Sequence, residues 1–89
     1  MARQTIQGLR KGMWVVYTSN GVGILNKFNA PAVPGGQPDS AEVHLTQDDG
    51  TTRLELPAVP LFELRQARYE EIPEPRRPEA AHAASLGYA

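Results

Sequence analysis

Side chains that could perform acid–base or nucleophilic chemistry are few and scattered in this 89-residue chain. Its two histidines, His44 and His82, are far apart in the sequence. A catalytic acid, base or nucleophile needs a partner within hydrogen-bond distance, and commonly a third group to orient it. No base is indicated beside any of the serines that could act as nucleophiles: Ser19, Ser40 and Ser85. We therefore predict that the chain is not an enzyme.

Metal and cofactor sites are not indicated either. The absence of cysteine excludes thiolate metal sites, disulfides and cysteine nucleophiles. Asp48 and Asp49 lie in a predicted turn without the clustered ligands that a metal ion requires. The sequence Gly-Val-Gly at 21–23 lacks the third glycine and the following helix of a dinucleotide-binding loop. We predict no metal and no cofactor.

The charge pattern argues against tight binding to phosphates. The net charge is −1, with +3 in residues 1–40 and −4 in residues 41–89. Positive charge in the second half is cancelled by interleaved glutamates. Trp14 and Tyr17 could stack on bases, although a single tryptophan in so small a domain is more often a core anchor. Nucleic acid is therefore the less favoured partner.

Apolar residues recur with period two in short runs, which predicts β-strands. Asn20-Gly21 and Asp48-Asp49-Gly50 predict tight hairpin turns, and the Pro- and Gly-rich residues 29–40 predict a loop. A short 3₁₀ turn is predicted within 57–64. The predicted strands are Met13–Tyr17, Val22–Phe28, Ala41–Gln47, Thr51–Leu56 and a last strand near Leu64–Tyr69. Four or five such strands indicate an all-β fold, a small SH3-like or Tudor-like antiparallel barrel.

The first strand predicts a sheet that is covered on both faces. Met13, Val15 and Tyr17 alternate with Trp14 and Val16, so both faces of this strand are apolar. Gly23 in the next strand predicts a bulge or a close backbone approach. The predicted core consists of Trp14, Val16, Ile24, Val43, Leu45, Leu54, Leu56 and Leu64.

Composition divides the chain into three parts. Residues 1–8 are a predicted flexible N-terminus, 9–70 the barrel, and 71–89 a disordered or partner-ordered tail rich in proline and alanine. The N-terminus has no apolar run typical of a signal peptide or membrane anchor. Together with the absence of cysteine, this predicts a cytoplasmic protein.

Residues 12–24, GMWVVYTSNGVGI, resemble the opening of a known family of transcription domains. This is the RNA-polymerase-interacting domain of CarD-type regulators and the transcription-repair coupling factor. Residues 56–64, LPAVPLFEL, look like the family's later segment that closes a Tudor-like, SH3-like barrel. The matching positions in the first segment are Gly12, Val15, Val16, Tyr17, Gly21, Val22 and Gly23.

The resemblance covers about residues 9–68 and implies contact with RNA polymerase. It has two departures, Met13 where the family usually has aspartate and Asn20 where it often has histidine. CarD-type proteins also carry a helical DNA-binding domain after the barrel, whereas a short Pro- and Ala-rich stretch follows here. DNA binding by that route is therefore not expected.

Three functions remain open at this level. The leading hypothesis is a non-catalytic protein-interaction module, a small transcription accessory factor that pairs an exposed sheet edge with RNA polymerase. Its predicted contact residues are Lys27, Glu42, His44, Arg53 and Glu55. The alternatives are a KOW-like nucleic-acid binder using Arg10, Lys11, Lys27 and Tyr17, and a phage or prophage structural or assembly protein. The sequence leaves the oligomeric state open.

Overall fold

The β-branched and aromatic runs form the strands that their period-two spacing predicts. The computed structural model describes residues 5–6 and 8–78, and every regular element longer than three residues in them is a strand. The strands are β1 (Thr5–Ile6), β2 (Leu9–Arg10), β3 (Trp14–Tyr17), β4 (Gly21–Phe28), β5 (Ser40–Thr46), β6 (Thr52–Pro60) and β7 (Leu64–Gln66). The 3₁₀ turns in the described residues span Thr18–Asn20, Leu61–Glu63, Tyr69–Glu71 and Glu74–Arg76. The all-β prediction is confirmed.

Two antiparallel sheets are present in the described residues. β1 pairs with β2, and the other five strands form one sheet in the order β6-β5-β4-β3-β7. The outer strands of the larger sheet, β6 and β7, are joined by the 3₁₀ turn Leu61–Glu63. Closure of this sheet into an SH3-like barrel stays a prediction.

Both predicted hairpin turns form, although in the first Thr18 rather than Asn20 joins Gly21 in having a positive φ. Tyr17 pairs with Gly21, so Thr18–Asn20 is the connection between β3 and β4. The residues with positive φ are Thr18, at 27°, and Gly21, at 119°. In the second turn Gly50 has φ 86°, and the Asp49 carboxylate accepts hydrogen bonds from the backbone and hydroxyl of Thr51. Local turn chemistry therefore joins β5 to β6.

Apolar residues cover both faces of the sheet, as the first strand predicts. On one face Val15, at 0% exposure, lies in the larger cluster, against which Tyr17 packs. On the other face Trp14, 3% exposed, packs with Val16 in a second cluster. The buried members of the larger cluster are Leu9, Met13, Val15, Leu25, Ala41, Val43, Leu45, Val59, Leu61 and Leu64.

Register shifts bring apolar residues from both odd- and even-numbered strand positions into the larger cluster. Between Leu25 and Lys27 one extra residue of β4 faces β5, and Leu25 and Phe28 pack on the same side as a result. A similar shift in β6 lets Leu56, opposite Val43, and Val59 reach the same cluster. An extra residue inverts the faces of everything after it, because strand side chains alternate with period two.

The prediction that Leu54 belongs to the core is wrong. Its side chain is 46% exposed, although it lies opposite the buried Leu45. The reason is its position on β6, which has a neighbouring strand on one side and none on the other within the described residues. Of the remaining predicted core residues, four are buried and three are half-buried: Trp14, Val43, Leu45 and Leu64, then Val16, Ile24 and Leu56.

Described elements lie on both sides of residues 9–70. At the N-terminal end β1, within the predicted flexible residues 1–8, pairs with β2. At the other end Ile72 is 6% exposed and packs in the cluster of Trp14. Residues 67–77, here called the C-terminal segment, thus include part of the predicted tail. Residues 79–89 of that tail, including His82 and Ser85, lie outside the described residues.

The close backbone approach predicted at Gly23 is present. Gly23 pairs with Leu45, and a Cβ added at Gly23 would lie 2.8 Å from the Leu45 Cα and still closer to the carbonyl oxygen of His44. Both atoms belong to the backbone of β5, so neither can move aside without shifting the strand. A glycine at this position lets β4 and β5 pack closely at the centre of the sheet.

Candidate interaction edge

The open side of β6 is the largest strand edge in the described sheet. β6 has nine residues, whereas β7, the other outer strand, has three. Within the described residues β6 pairs with β5 alone, so the backbone groups on its other side have no strand partner there. Its residues Thr52–Glu55 are all exposed. This strand is therefore the natural place for another chain to pair.

Prolines restrict the part of β6 that can accept a partner. Pro57 and Pro60 have no backbone N–H to donate, which is a common protection of sheet edges. The carbonyl of Pro57 already accepts a hydrogen bond of 2.9 Å from the Asn29 side chain. The part of the strand without these features is Thr52–Leu56, which is here called the open edge.

The open edge presents one apolar side chain between two opposite charges. Leu54 is the exposed apolar residue, with Arg53 before it and Glu55 after it. Glu55 lies opposite His44 on the face of the sheet away from the larger cluster. A partner strand here would gain main-chain hydrogen bonds, cover Leu54 and meet charges of both signs.

Only two of the five predicted contact residues lie on this edge. Arg53 and Glu55 are on β6, whereas Glu42 and His44 are on β5 and Lys27 is on β4, both interior strands. The sequence reveals which residues face outward but not which strand is outermost, because strand order depends on long-range pairing.

The three interior residues, Lys27, Glu42 and His44, form a polar group on the face of the sheet away from the larger cluster. Lys27 lies opposite Glu42 in the register of β4 and β5. The Glu42 carboxylate accepts a hydrogen bond from the Asn26 side chain and lies 3.1 Å from His44 Nε2. Asn26 was not among the predicted residues, since its position follows from the bulge in β4. These contacts connect the side chains of Asn26, Glu42 and His44 to one another through a single oxygen of Glu42.

Arg53 forms its contact at the end of the sheet that is distant from Lys27 and Glu42. It is the extra residue where the β5–β6 register shifts, between the pairs Thr46–Thr52 and Leu45–Leu54. Its Nη2 donates a 3.1 Å hydrogen bond to the carbonyl of Asn20. An open cleft of about 610 Å³ lies beside it, lined by Gly21, Val22, Thr46, Gln47, Asp48, Asp49 and Arg53.

The described residues contain no group of three or more His, Asp or Glu side chains placed to hold a metal ion.

An exposed phenylalanine side chain lies next to β7, the other outer strand of the larger sheet. Phe62 is 80% exposed and borders a cleft of about 230 Å³ next to Val16 and Leu64. The polar side chains at this cleft are Thr18, Glu63 and Arg65.

A charged contact fastens the C-terminal segment to β7. The Arg65 guanidinium donates two hydrogen bonds to Glu71, of 2.8 and 2.6 Å, and the backbone N–H of Arg68 donates a third of 2.9 Å. The bonds from Arg65, and then that from Arg68, lower the pKa of Glu71 to about 2 from an ordinary value of 4.5.

We expect the Glu71 carboxyl to titrate with a midpoint near 2 in a carbon-detected NMR titration. Its pKa is lower in the folded chain than in the unfolded one, so its stabilising contribution is complete above about pH 4.5 and is lost as pH falls toward 2. Arg65→Met should raise the midpoint toward 4.5, whereas Arg53→Met should leave it unchanged. A midpoint near 4.5 in the unmodified protein would contradict this assignment.

Comparisons with known proteins found no matching family model, no matching curated protein and no matching solved structure. Among the described residues no helix has the length and apolar character needed to cross a membrane.

Proposed function

We propose that this chain is a non-catalytic protein-interaction module that binds a larger protein by strand addition at the open edge, Thr52–Leu56. The observation that carries the proposal is Leu54, an apolar side chain left 46% exposed on an outer strand. Its cross-strand neighbour Leu45 is 1% exposed, so a strand added beyond β6 would extend the covered apolar row. Strand addition supplies main-chain hydrogen bonds, and side chains such as Leu54 supply specificity.

The proposed partner is RNA polymerase, and the proposed role is that of a small transcription accessory factor in the cytoplasm. The support for this partner is the resemblance of residues 12–24 and 56–64 to the RNA-polymerase-interacting domain. The contacts among Asn26, Glu42 and His44 lie on β4 and β5, so they do not occupy the open edge.

The test is binding of Leu54→Lys to purified core RNA polymerase from the organism that encodes this chain, measured by biolayer interferometry. We expect affinity to fall at least about tenfold, because a charged side chain would be placed against the added strand. Thermal unfolding should change little, since the replaced side chain is half exposed and strand preferences span only about 1 kcal/mol.

The matched control is Val33→Lys, which introduces the same charge at an apolar residue that is 69% exposed and lies in the loop between β4 and β5. This variant should bind like the unmodified chain. Equal binding by Leu54→Lys and the unmodified chain would reject the edge as the site. Binding to nucleic acid that weakens steeply with salt and survives Leu54→Lys would instead favour a nucleic-acid binder.

A further inference from the structure

The side chain of Arg76 joins the C-terminal segment to the turn between β5 and β6. Its guanidinium lies 5.3 Å from the centre of the Trp14 ring, on β3, and its Nη1 donates a 2.7 Å hydrogen bond to the carbonyl of Gly50, in the turn. In the sheet, β4 and β5 separate β3 from β6, the strand that follows this turn. One side chain thus contacts parts of the sheet that are not adjacent.

Gly50 has the form that this contact requires. It is buried, whereas residues 47–49 and 51 of the same turn are exposed. A Cβ added at Gly50 would lie 2.9 Å from Arg76 Cδ and still closer to Arg76 Cγ. A side chain at position 50 would therefore push the arginine away, whereas a glycine lets the backbone of the turn lie directly against the aliphatic part of Arg76.

The remainder of the C-terminal segment is anchored near the opposite outer strand. The Ala67 N–H donates a 2.9 Å hydrogen bond to the carbonyl of Trp14, and Ile72 is buried in the cluster of that tryptophan. Glu71 accepts two hydrogen bonds from Arg65 on β7. The segment therefore extends from β7, one outer strand, to the turn that leads into β6, the other.

We propose that the C-terminal segment is a strap that keeps the open edge ordered, and that Arg76 is the positioning residue through which it acts. The inference rests on the proposed use of the open edge and adds its regulation. Gly50 comes shortly before Thr52, the first residue of the open edge. A partner strand gains less from an edge that it must first order, so release of the segment should weaken binding there.

Hydrogen bonds inside the turn fix its shape rather than its place over the sheet. The Gln47 N–H donates to the carbonyl of Thr51 and the Gly50 N–H to that of Gln47, each over 2.9 Å. These bonds join residues close in the sequence, whereas the bond from Arg76 to Gly50 joins residues 26 apart. The residues that follow the turn, Thr52–Glu55, are all exposed. Few buried contacts therefore hold this end of β6 once Arg76 has left.

Coupling of this kind works in both directions. A protein that captures the C-terminal segment would remove Arg76 from Gly50 and so weaken binding at the open edge. By the same linkage, a strand bound at the open edge should hold the segment against the sheet, because both events stabilise the same arrangement. The two states are the attached and the released segment, and release breaks the contacts of Arg76 with Trp14 and Gly50.

The test is NMR relaxation of the backbone amides in the purified chain alone, so its result is independent of whether RNA polymerase binds. Arg76→Met keeps an unbranched side chain and loses the donor to Gly50. We expect the order parameters of Thr52–Leu56 to fall from about 0.85, the value of rigid backbone, toward about 0.6. Hydrogen exchange of the Gly50 amide should accelerate at least about tenfold, while exchange of the Leu25 amide stays unchanged and shows that the fold is intact.

The matched control is Arg77→Met, the same substitution at the next residue. Arg77 is also half-buried and also lies over an aromatic ring, but it donates to the carbonyls of Glu70 and Ile72, within the segment. This variant should leave the order parameters of the open edge unchanged. Arg76→Lys keeps a charged donor for the Gly50 carbonyl and should restore most of the order that Arg76→Met loses.

Unchanged order parameters in Arg76→Met, or an equal fall in Arg77→Met, would overturn the proposal. Failure of the unmodified chain to bind core RNA polymerase, together with the expected loss of order in Arg76→Met, would reject the proposed function and leave the strap standing. Polymerase binding that Leu54→Lys removes, together with an open edge that stays ordered in Arg76→Met, would support the proposed function and reject the strap.

Discussion

Trp14→Ala is expected to lower the free energy of unfolding by about 3–5 kcal/mol, the typical cost of removing a large buried aromatic side chain. Trp14 is 3% exposed and forms the buried centre of the second cluster with Ala67 and Ile72. Its ring also lies under the guanidinium of Arg76, 5.3 Å from the ring centre. Thermal unfolding followed by circular dichroism should show a Tm lowered by more than about 10 °C.

Loss of this ring should also release the C-terminal segment. Arg76 Nη1 donates a 2.7 Å hydrogen bond to the carbonyl of Gly50, and its aliphatic carbons pack directly over that glycine. Without the indole, Ile72 loses the largest side chain of the apolar cluster in which it packs. Hydrogen exchange should therefore accelerate at the amides of Ile72 and Arg76, which bond to Tyr69 and Pro73, before it accelerates in β4 and β5.

Tyr69→Ala is the matched control for the tryptophan substitution. Tyr69 is also an aromatic residue under an arginine, with the Arg77 guanidinium 5.7 Å from its ring centre, but it is 55% exposed. A change of about 1 kcal/mol or less is expected there. Equal destabilisation by the two substitutions, or unchanged exchange at Ile72 in Trp14→Ala, would show that the C-terminal segment does not depend on the tryptophan.

Leu25→Ala is expected to lower the free energy of unfolding by about 2–5 kcal/mol, a large part of the stability of so small a domain. Leu25 is 0% exposed in the larger cluster and lies opposite Val43, which is equally buried. The neighbouring strands are fixed by backbone hydrogen bonds, including the 2.9 Å bond from the Leu25 N–H to Met13. They cannot collapse freely into the cavity, so the cost should lie well above that of a surface change.

Leu54→Ala is the matched control, with the same atoms removed at a position that is 46% exposed. We expect less than about 1 kcal/mol, because much of this side chain is already in water. Urea unfolding of the two variants gives both values on one scale. Similar losses for Leu25→Ala and Leu54→Ala would mean that the outer side of β6 is covered, which would also remove the basis of the proposed interaction edge.

The sequence alone predicts the five strands of the larger sheet, because they follow from local chemistry, although β6 continues past the predicted Leu56 to Pro60. Alternation in Met13–Tyr17 predicts both apolar faces, and these faces are found in the two clusters. Asp49-Gly50 supplies an acceptor and a positive φ for the second turn. Gly23 predicts a bulge or a close backbone approach, because it has no side chain to pack, and the close approach of β5 is the one found.

Tertiary structure decided which residues are covered and which strand is outermost. Bulges in β4 and β6 change the faces of Phe28 and Val59, and period-two reading cannot place them because a bulge depends on how two distant strands pair. Ile72 lies between charged residues and a proline, yet it is buried because the sheet offers Trp14 as a surface to cover. Leu54 has the pattern of a core residue and is exposed because nothing in the described chain lies beyond β6. Whether a side chain is buried depends on the residues around it, and in a sheet those residues are set by the pairing of segments that are far apart in the sequence.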